Sequence, residues 1–479
     1  MHDVVIRGAV LFDGSDQAGI VTDVAIADGR ISAIGMLDGA VANQVIHADG
    51  LALAPGFIDV HTHDDIEVIR NPSMLSKLSQ GVTTVVVGNC GISASPVRIR
   101  GEVPDPMNLL GDAGDFLYPD FASYRAAVEQ AGPAVNVAAL VGHTALRQNH
   151  MDRLDRAASP AEVNAMRVQL RQSLQQGALG LSSGLAYASA FHAPATEVDA
   201  LALELPPGGL YATHLRDEFA GVLDAMEEAF SAARGAGASV RVSHLKCAGI
   251  DNWGRSHQVL DLLQATSQHQ DVACDCYPYA ASASTLDLKQ VTDAYDILIT
   301  WSDPEPAQGG RLLAAIAADW QVSLLDAAIR LQPAGAVYHG MDETDVRRIL
   351  SHPLTMIGSD GLPRDPRPHP RLWGTFPRVL GHYARDEQLF PLRTAIHKMT
   401  GLPAARFALG ARGLVRQGWC ADLVLFDPAR IRDTASFQDP VRAAEGIAAV
   451  WVNGHLAYDG HATVAHAGQF ITPSAIPAS

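Results

Sequence analysis

The sequence predicts an α/β protein built on a (β/α)8 barrel, or TIM barrel, with a small β-sandwich domain formed by both ends of the chain. Eight short strand-like runs alternate with helical stretches through the middle of the 479 residues, whereas both ends are rich in strands and turns. Six residues of metal-ligand type stand at or just after the ends of the strand-like runs. Chemistry gathered at the carboxyl ends of eight strands is typical of such a barrel.

The two ends of the chain have the same β-rich character. Residues 4–10, 21–27, 30–34 and 44–47 read as strands, and Asp28-Gly29 between two of them is a strong hairpin signal. Residues 421–427 and 447–452 look similar, and Asn453-Gly454 follows them. We expect residues 1–54 and 411–479 to pair into one β-sandwich domain.

The barrel is predicted over residues 55–410. Its strand candidates are residues 56–60, 82–87, 136–141, 178–182, 209–212, 239–242, 271–275 and 355–357. Helical stretches between them include residues 160–176, 220–234 and 255–268. The alternative is an open doubly wound sheet, which would use fewer strands and would not easily bring six strand ends to one point.

One long segment, residues 281–340, interrupts the alternation between the seventh and eighth strands. It contains Pro304, Pro306 and the pair Gly309-Gly310. An insertion of this length on the catalytic face favours a lid over a disordered linker.

The composition of the chain limits the classes of partner that the protein can bind. The net charge is 35 − 52 = −17, which argues against nucleic acid or an anionic membrane and leaves a small-molecule substrate. The N-terminus has no evident signal peptide, and no run approaches the ~18–20 apolar residues of a membrane span. Five cysteines form no regular framework, so we expect reduced thiols and a cytoplasmic protein. The oligomeric state is not predicted.

The most informative stretch is His61-Thr62-His63, which ends the apolar run from Gly56 to Val60. Two histidines at i and i+2 on an extended segment point to the same side and form half of a site for a divalent metal such as zinc. A lone pair of this kind among 19 histidines is more often chance. The other strand ends argue for a metal centre, because they carry Cys90, His214, His244 and Asp360.

The chain resembles the amidohydrolase superfamily, and within it the N-acyl-D-amino-acid deacylase (D-aminoacylase) branch. The resemblance spans nearly the whole chain and keeps the order of the ligand residues. The segments that carry it are Pro55-Gly56-Phe57-Ile58-Asp59-Val60-His61-Thr62-His63-Asp64-Asp65, Gly88-Asn89-Cys90-Gly91, Thr213-His214-Leu215-Arg216-Asp217-Glu218, Ser243-His244-Leu245-Lys246, Gly358-Ser359-Asp360-Gly361, His369-Pro370-Arg371, Gly374-Thr375-Phe376-Pro377-Arg378 and Ala421-Asp422-Leu423-Val424.

The resemblance implies a zinc enzyme in which a cysteine replaces the carbamylated lysine that bridges two metals in many amidohydrolases. By this resemblance Cys90, His214 and His244 hold a tightly bound Zn²⁺. His61 and His63 belong to a weaker second site, to which Asp360 and the Cys90 sulfur are further candidate ligands. Asp360 is the implied catalytic acid–base that moves the proton from water to the departing amine. The alternative for Asp360 is a helix N-cap.

Substrate-binding residues are also implied by the resemblance, which puts Lys246, Tyr277 and Arg371 around the α-carboxylate of the acylated amino acid. A guanidinium fork suits a carboxylate, although a single Lys or Arg is normally a solvated surface charge. Tyr338 and Met341 resemble the part of the family that lines a hydrophobic side-chain pocket. Lys289 would serve an acidic side chain instead if it faced inward.

Four residues have weaker signals. Tyr187 is a candidate contact for the acyl carbonyl, with core packing as the alternative. His143 is a candidate to polarise the substrate or orient a ligand, with a structural role as the alternative. Cys274 and Cys276 lie on one face of the seventh strand without further ligands nearby, which favours buried, inert thiols.

The resemblance implies zinc-dependent hydrolysis of N-acyl-D-amino acids, with a preference for hydrophobic side chains. One alternative is a deacylase of N-acyl-D-glutamate or N-acyl-D-aspartate, and another is a dipeptidase acting on L-Xaa-D-Xaa. A remote alternative is a non-catalytic scaffold. Scaffolds of this kind typically lack part of the metal set, whereas all six positions are filled here.

Overall fold

The structure is a computed structural model that describes residues 1–99 and 101–474. Within these residues the strands are β1 (His2–Leu11), β2 (Ile20–Ala27), β3 (Arg30–Gly35), β4 (Ala42–His47), β5 (Ala52–Pro55), β6 (Phe57–Asp59), β7 (Val82–Val87), β8 (Asn136–Ala139), β9 (Val141–Gly142), β10 (Gly180–Gly184), β11 (Leu210–His214), β12 (Ser239–Val242), β13 (Val272–Cys276), β14 (Ser282–Thr285), β15 (Ile297–Ser302), β16 (Ala334–Tyr338), β17 (Thr355–Ile357), β18 (Leu423–Phe426), β19 (Ile447–Val452) and β20 (His455–Tyr458).

The helices of the same residues are α1 (Glu67–Arg70), α2 (Leu75–Leu78), α3 (Phe121–Ala131), α4 (His143–His150), α5 (Pro160–Gln175), α6 (Ala195–Ala202), α7 (Val222–Arg234), α8 (Ser256–Ser267), α9 (Leu313–Trp320), α10 (Leu324–Leu331), α11 (Glu343–Ser351), α12 (Arg371–Arg378), α13 (Leu392–Met399) and α14 (Gly401–Arg406). A π-helical stretch, Val379–Asp386, continues α12. No helix of the described ranges combines the length and apolarity needed to cross a membrane.

Strands from the two ends of the chain form one sheet of eight strands, ordered β20-β19-β18-β5-β1-β2-β3 with β4 beside β1. The ends meet where β5 pairs antiparallel with β18, with Ala52 opposite Phe426. The predicted hairpin joins β2 to β3, and both turn residues have positive φ, 50° for Asp28 and 74° for Gly29. This sheet has a hydrophobic cluster of its own. The β domain built from both termini is therefore confirmed.

All eight predicted barrel strands are present and pair in parallel. One sheet runs β17-β13-β12-β11-β10-β9 and the other runs β6-β7-β8. The third predicted strand is divided at Leu140, because β8 pairs with β7 whereas β9 pairs with β10. The first and last strands meet beyond their ends, where Asp360 N–H donates to His61 O at 2.7 Å and His63 N–H donates to Gly361 O at 3.0 Å. This contact brings the first and last strand ends of the predicted barrel together.

The insertion after β13 is an ordered subdomain. Its three strands form an antiparallel sheet in the order β14-β16-β15, and α9 and α10 pack with them around a separate hydrophobic cluster. The sequence predicted an insertion here but not its sheet. The insertion contacts the barrel at Arg371, whose Nη2 donates to Ala283 O at 3.1 Å.

Candidate metal centre and active site

Three of the candidate site residues have a backbone conformation that non-glycine residues rarely adopt. The φ angles of Cys90, His244 and Asp360 are 54°, 36° and 48°, in the left-handed region. Each residue lies two or three positions beyond the end of a barrel strand. Such strain persists only where the surrounding structure imposes it, and it is concentrated at functional sites. Glycine packing contributes here, since a Cβ atom on Gly184 would lie 2.2 Å from Cys90 O.

A first group of possible metal ligands consists of Cys90, His214 and His244, whose donor atoms lie within 4.8 Å of one another. Cys90 Sγ is 3.3 Å from His244 Nε2, and the His214 and His244 rings are 4.5 Å apart at their centroids. Cys90 and His244 are buried. A thiolate with two imidazoles is a zinc-type ligand set that leaves a coordination position open.

A second group consists of His61, His63, Cys90 and Asp360, again with donor atoms within 4.8 Å of one another. His61 Nε2 is 3.2 Å from Cys90 Sγ, and Asp360 Oδ1 is 3.2 Å from His63 Nε2. The two groups therefore share the Cys90 sulfur. All six sequence-predicted ligand candidates are brought together at the carboxyl ends of the strands.

The charges of the centre favour a bound cation. Burial by itself would raise the pKa of the Cys90 thiol, but His61 and His244 hold this pKa well below its ordinary value, which favours the thiolate that binds zinc. Burial would lower the pKa of His63, yet Asp360 and Cys90 raise it to about 9. Without a metal, these histidines would thus take up protons to balance the anions around them. A divalent cation can supply that positive charge instead, so the residues present fit a metal centre.

Two acidic residues support the histidines. Asp275 Oδ1 lies 3.3 Å from His61 Nδ1 and accepts the His244 N–H at 2.9 Å. Glu218 Oε1 lies 3.0 Å from His244 Nδ1. Carboxylates at the outer nitrogens of metal-binding histidines fix the tautomer and the ring orientation. Glu218 lies in one of the segments that carry the family resemblance, whereas Asp275 was not among the residues predicted from the sequence.

The predicted carboxylate-binding residues lie beside the metal groups. Arg371 is 1% exposed, its Nη1 is 2.9 Å from Asp360 Oδ2, and its guanidinium lies over the Tyr277 ring. Arg371 Nε makes no hydrogen bond within the described chain, whereas Nη1 has Asp360 as its partner. A buried guanidinium with an unsatisfied donor is prepared to bind an anion.

Lys246 has partners already. Its ammonium donates to Glu218 Oε1 at 2.5 Å and lies 2.8 Å from His244 Nδ1. A substrate carboxylate would therefore share this ammonium with Glu218.

Residues 44–458 match the sequence model of the amidohydrolase family. The chain belongs to this family. It is 47% identical over 475 residues to the D-aminoacylase of Alcaligenes xylosoxydans xylosoxydans, covering 99% of this chain and 98% of the relative. It is 48% identical over 479 residues to the N-acyl-D-aspartate deacylase of the same organism, covering 99% and 96%.

One solved structure matches the fold of this amidohydrolase over nearly its whole length. It is N-acyl-D-glutamate deacylase from Bordetella bronchiseptica, complexed with zinc and a phosphonate inhibitor that mimics the tetrahedral intermediate of the reaction. The TM-score is 0.94 at 43% identity, and the match covers 98% of this chain and 99% of the other. The barrel fold predicted from the sequence is thus confirmed.

The remaining substrate-side candidates of this amidohydrolase separate into two sets. Tyr187 lies at the centre, with its hydroxyl 3.3 Å from His214 Nδ1. Met341 lies against Tyr277, whose hydroxyl points to the Met341 sulfur at 3.7 Å. Tyr338 instead belongs to the core of the insertion, where its hydroxyl donates to Thr285 O at 2.9 Å. Its place on β16 turns it towards α9 and α10, contrary to the expectation that it lines the pocket.

His143 makes no hydrogen bond or ion pair with the metal groups in the described structure. Its Nε2 is 2.9 Å from Glu197 Oε1, and Arg147 Nη1 is 2.5 Å from the same oxygen. Burial lowers the pKa of His143, which keeps the ring neutral. His143 Nδ1 has no hydrogen-bond partner within the described residues, so both roles considered for His143 stay predictions.

Cys274 and Cys276 are buried in the hydrophobic layer around the barrel. Burial raises the pKa of Cys274 to about 12 and the pKa of Cys276 well above its ordinary value. Both therefore remain thiols, in agreement with the inert role expected for them.

Proposed function

We propose that this amidohydrolase hydrolyses the amide bond of N-acyl-D-amino acids to give a carboxylate and a free D-amino acid. The observation that carries the proposal is the contact between Asp360 and Arg371 at 2.9 Å, directly beside two metal-type groups that share Cys90. A substrate with a carboxylate next to its scissile amide suits this site, because an acid–base residue, an anion-binding guanidinium and a metal centre are in contact there. The relatives named above support the substrate class and its D-configuration.

The proposed metal is zinc, held tightly by Cys90, His214 and His244, with a weaker second site at His61, His63, Cys90 and Asp360. Zinc bound to the first group would supply Lewis-acid chemistry, polarising an amide carbonyl and lowering the pKa of water.

Asp360 is proposed to move the proton. Burial would raise the pKa of this carboxyl, but Arg371 and the histidines hold it well below its ordinary value, so Asp360 is ionised before substrate binds. When a substrate carboxylate binds Arg371, Asp360 must share the Arg371 guanidinium with it. The proton affinity of Asp360 then rises. Asp360 can then accept a proton from the attacking water and pass it to the departing amine. Substrate binding thereby makes Asp360 a stronger base.

Arg371 and Tyr277 are proposed to bind the α-carboxylate, with Lys246 as a third contact. Tyr187 is proposed to donate its hydroxyl proton to the acyl carbonyl. Its place beside His214 supports this assignment, because a carbonyl held at the first metal group would lie within reach.

Rates of amine release from N-acetyl-D- and N-acetyl-L-amino acids, compared in zinc-loaded protein, test the proposed reaction. We expect hydrolysis of the D-compounds and little of the L-compounds. L-Xaa-D-Xaa dipeptides test the dipeptidase alternative in the same assay. Failure to release amine from any of these compounds would instead support the scaffold alternative, which the complete ligand set argues against.

The side chain of the substrate remains a prediction, and we propose a hydrophobic one. Met341 against Tyr277 supports an apolar wall, whereas Tyr338 lies in the core of the insertion. An acidic side chain is the second candidate, because the Lys289 ammonium lies 4.7 Å from the centroid of Phe191, four residues beyond Tyr187. The two curated relatives, at 47% and 48% identity, do not separate these candidates.

The two candidates predict opposite results for Lys289→Met. If the pocket is apolar, kcat/KM is higher for N-acetyl-D-Met than for N-acetyl-D-Asp or N-acetyl-D-Glu, by roughly ten- to hundredfold, and the variant changes little. If Lys289 binds an acidic side chain, the wild-type order is reversed and the variant loses activity on the acidic substrates alone.

We also propose a cytoplasmic location. The five cysteines support this location, since none forms a disulfide in the described chain.

A further inference from the structure

Lys77 is a charged residue that the proposed reaction does not use, yet it is completely buried. It lies on α2, and its ammonium has four oxygen partners. The distances from Nζ are 2.8 Å to Asp59 Oδ2, 2.9 Å to Thr62 Oγ1, 3.0 Å to Ser359 Oγ and 3.1 Å to Asp64 Oδ2. A buried ammonium is stable only with such partners, so this cluster tolerates little displacement.

The partners of Lys77 belong to the two chain segments that carry three of the four residues of the second metal group, His61, His63 and Asp360. Thr62 lies between His61 and His63, and Ser359 directly precedes Asp360. Asp59 strengthens the connection, because one of its oxygens accepts the Ser359 N–H at 2.8 Å and the His61 N–H at 3.3 Å. The ammonium therefore ties the end of the first barrel strand to the end of the last one.

The first metal group is supported differently. His244 is held by Asp275 and Glu218, and His214 by Tyr187 and Glu218. The hydrogen bonds and ion pairs of Lys77 in the described structure reach none of Cys90, His214 and His244. Loss of Lys77 should thus affect the two groups unequally.

We propose that Lys77 is a positioning residue that sets the relative geometry of His61, His63 and Asp360, and thereby the affinity of the second metal site and the placement of the catalytic carboxylate. The effect on catalysis rests on the function proposed above, whereas the effect on metal binding does not. Lys77 acts through Thr62 and Ser359 and touches neither metal ligands nor substrate.

The test compares Lys77→Met with Lys398→Met. Lys398 is a matched control, because it is also buried (1% exposed) but donates to the backbone oxygens of His352 and Thr355. Metal-free proteins are titrated with zinc by calorimetry. We expect Lys77→Met to bind the first equivalent as wild type does and the second about 10–100-fold more weakly, the usual scale for removing a partner of the ligands. We expect Lys398→Met to bind both equivalents normally.

Kinetics supply the second measurement. In Lys77→Met, kcat should fall by about 10–100-fold while KM changes much less, because the hydrogen bonds and ion pairs of Lys77 do not include Arg371 or Tyr277. In Lys398→Met both constants should be unchanged. If no N-acyl-D-amino acid proves to be a substrate, the zinc titration still decides the proposal.

The inference is overturned if Lys77→Met binds both equivalents with wild-type affinity, if the first equivalent is weakened as much as the second, or if Lys398→Met shows the same losses. A wild-type protein that binds a single equivalent also overturns it. If Lys77→Met does not fold, Thr62→Val decides, with Thr355→Val as its control. Selective weakening of the second site in Thr62→Val supports the positioning role, and normal binding refutes it.

Discussion

Replacement of Asp360 by Asn changes the charge of the proposed proton carrier while nearly preserving its shape. Asp360 Oδ1 lies 3.2 Å from His63 Nε2 and 3.4 Å from His61 Nε2, and Oδ2 lies 2.9 Å from Arg371 Nη1. The amide oxygen of Asn can keep one of these contacts, but it cannot accept the proton of the attacking water. The first metal group does not include Asp360, so one zinc per chain should be retained.

The expected loss follows from these contacts. Removing a general acid–base residue costs about 10²–10⁴-fold in kcat, which corresponds to about 3–5 kcal/mol of activation free energy. The free energy of unfolding should also fall, because Arg371 loses its carboxylate partner in a buried position. We expect that loss to be smaller than the ~3–5 kcal/mol of an isolated buried pair, since Arg371 also contacts Ala283 O and Tyr277.

The assay measures zinc content, amine release from an N-acetyl-D-amino acid and urea unfolding on the same preparation. Asp345→Asn is the control: Asp345 is 2% exposed and lies 3.3 Å from Arg348 on α11. It should lose stability but keep kcat. A zinc-loaded Asp360→Asn protein with kcat within about threefold of wild type would refute the proton-transfer role, because that loss is far below the acid–base range.

Three further results are expected. Cys90→Ala should lose most of the tightly bound zinc and nearly all activity, as measured by metal analysis after dialysis, and full zinc stoichiometry would contradict the ligand assignment. Arg371→Met should reduce hydrolysis of N-acyl-D-amino acids far more than hydrolysis of their amides, which lack the carboxylate; equal losses would indicate a structural role. Glu197→Gln should be less stable than wild type at pH 7. Burial would raise the pKa of Glu197, but His143 and Arg147 lower it from 4.5 to about 2, so its stabilising effect is present above pH 4.5 and disappears as the pH falls towards about 2. The difference in unfolding free energy, about 3 kcal/mol at most, should therefore shrink over that range, and a difference independent of pH would contradict this explanation.

The sequence predicted the barrel strands well because most of them are short runs rich in β-branched, apolar or small residues, such as Val82–Val87, and such runs differ from helical patterns. Asp275 was not predicted as a site residue, although its position in β13 indicates one. Cys274 and Cys276 point to one side of β13, so Asp275 between them must point to the other, towards the inside of the barrel. A carboxylate on the inner face at a strand end is a candidate partner for the metal ligands.

Tyr338 and His143 show where sequence patterns were insufficient. Alternation along β16 divides its side chains between two faces but does not tell which face is turned towards α9 and α10. His143 begins a helix at a strand end, as a catalytic histidine could, yet its partner Glu197 lies 54 residues away. Only the packing of α4 against that part of the chain gives His143 this partner.

The sequence by itself determined which side chains stand at the carboxyl ends of the strands, because strand periodicity and barrel topology together fix those positions. The tertiary structure decided the charge states and partners of these side chains. Lys77 is 282 residues from Ser359 in the chain, and Arg371 is 88 residues from Ala283. Hydrogen bonds and ion pairs depend on distances of about 3 Å in space, and separation along the chain carries no information about them.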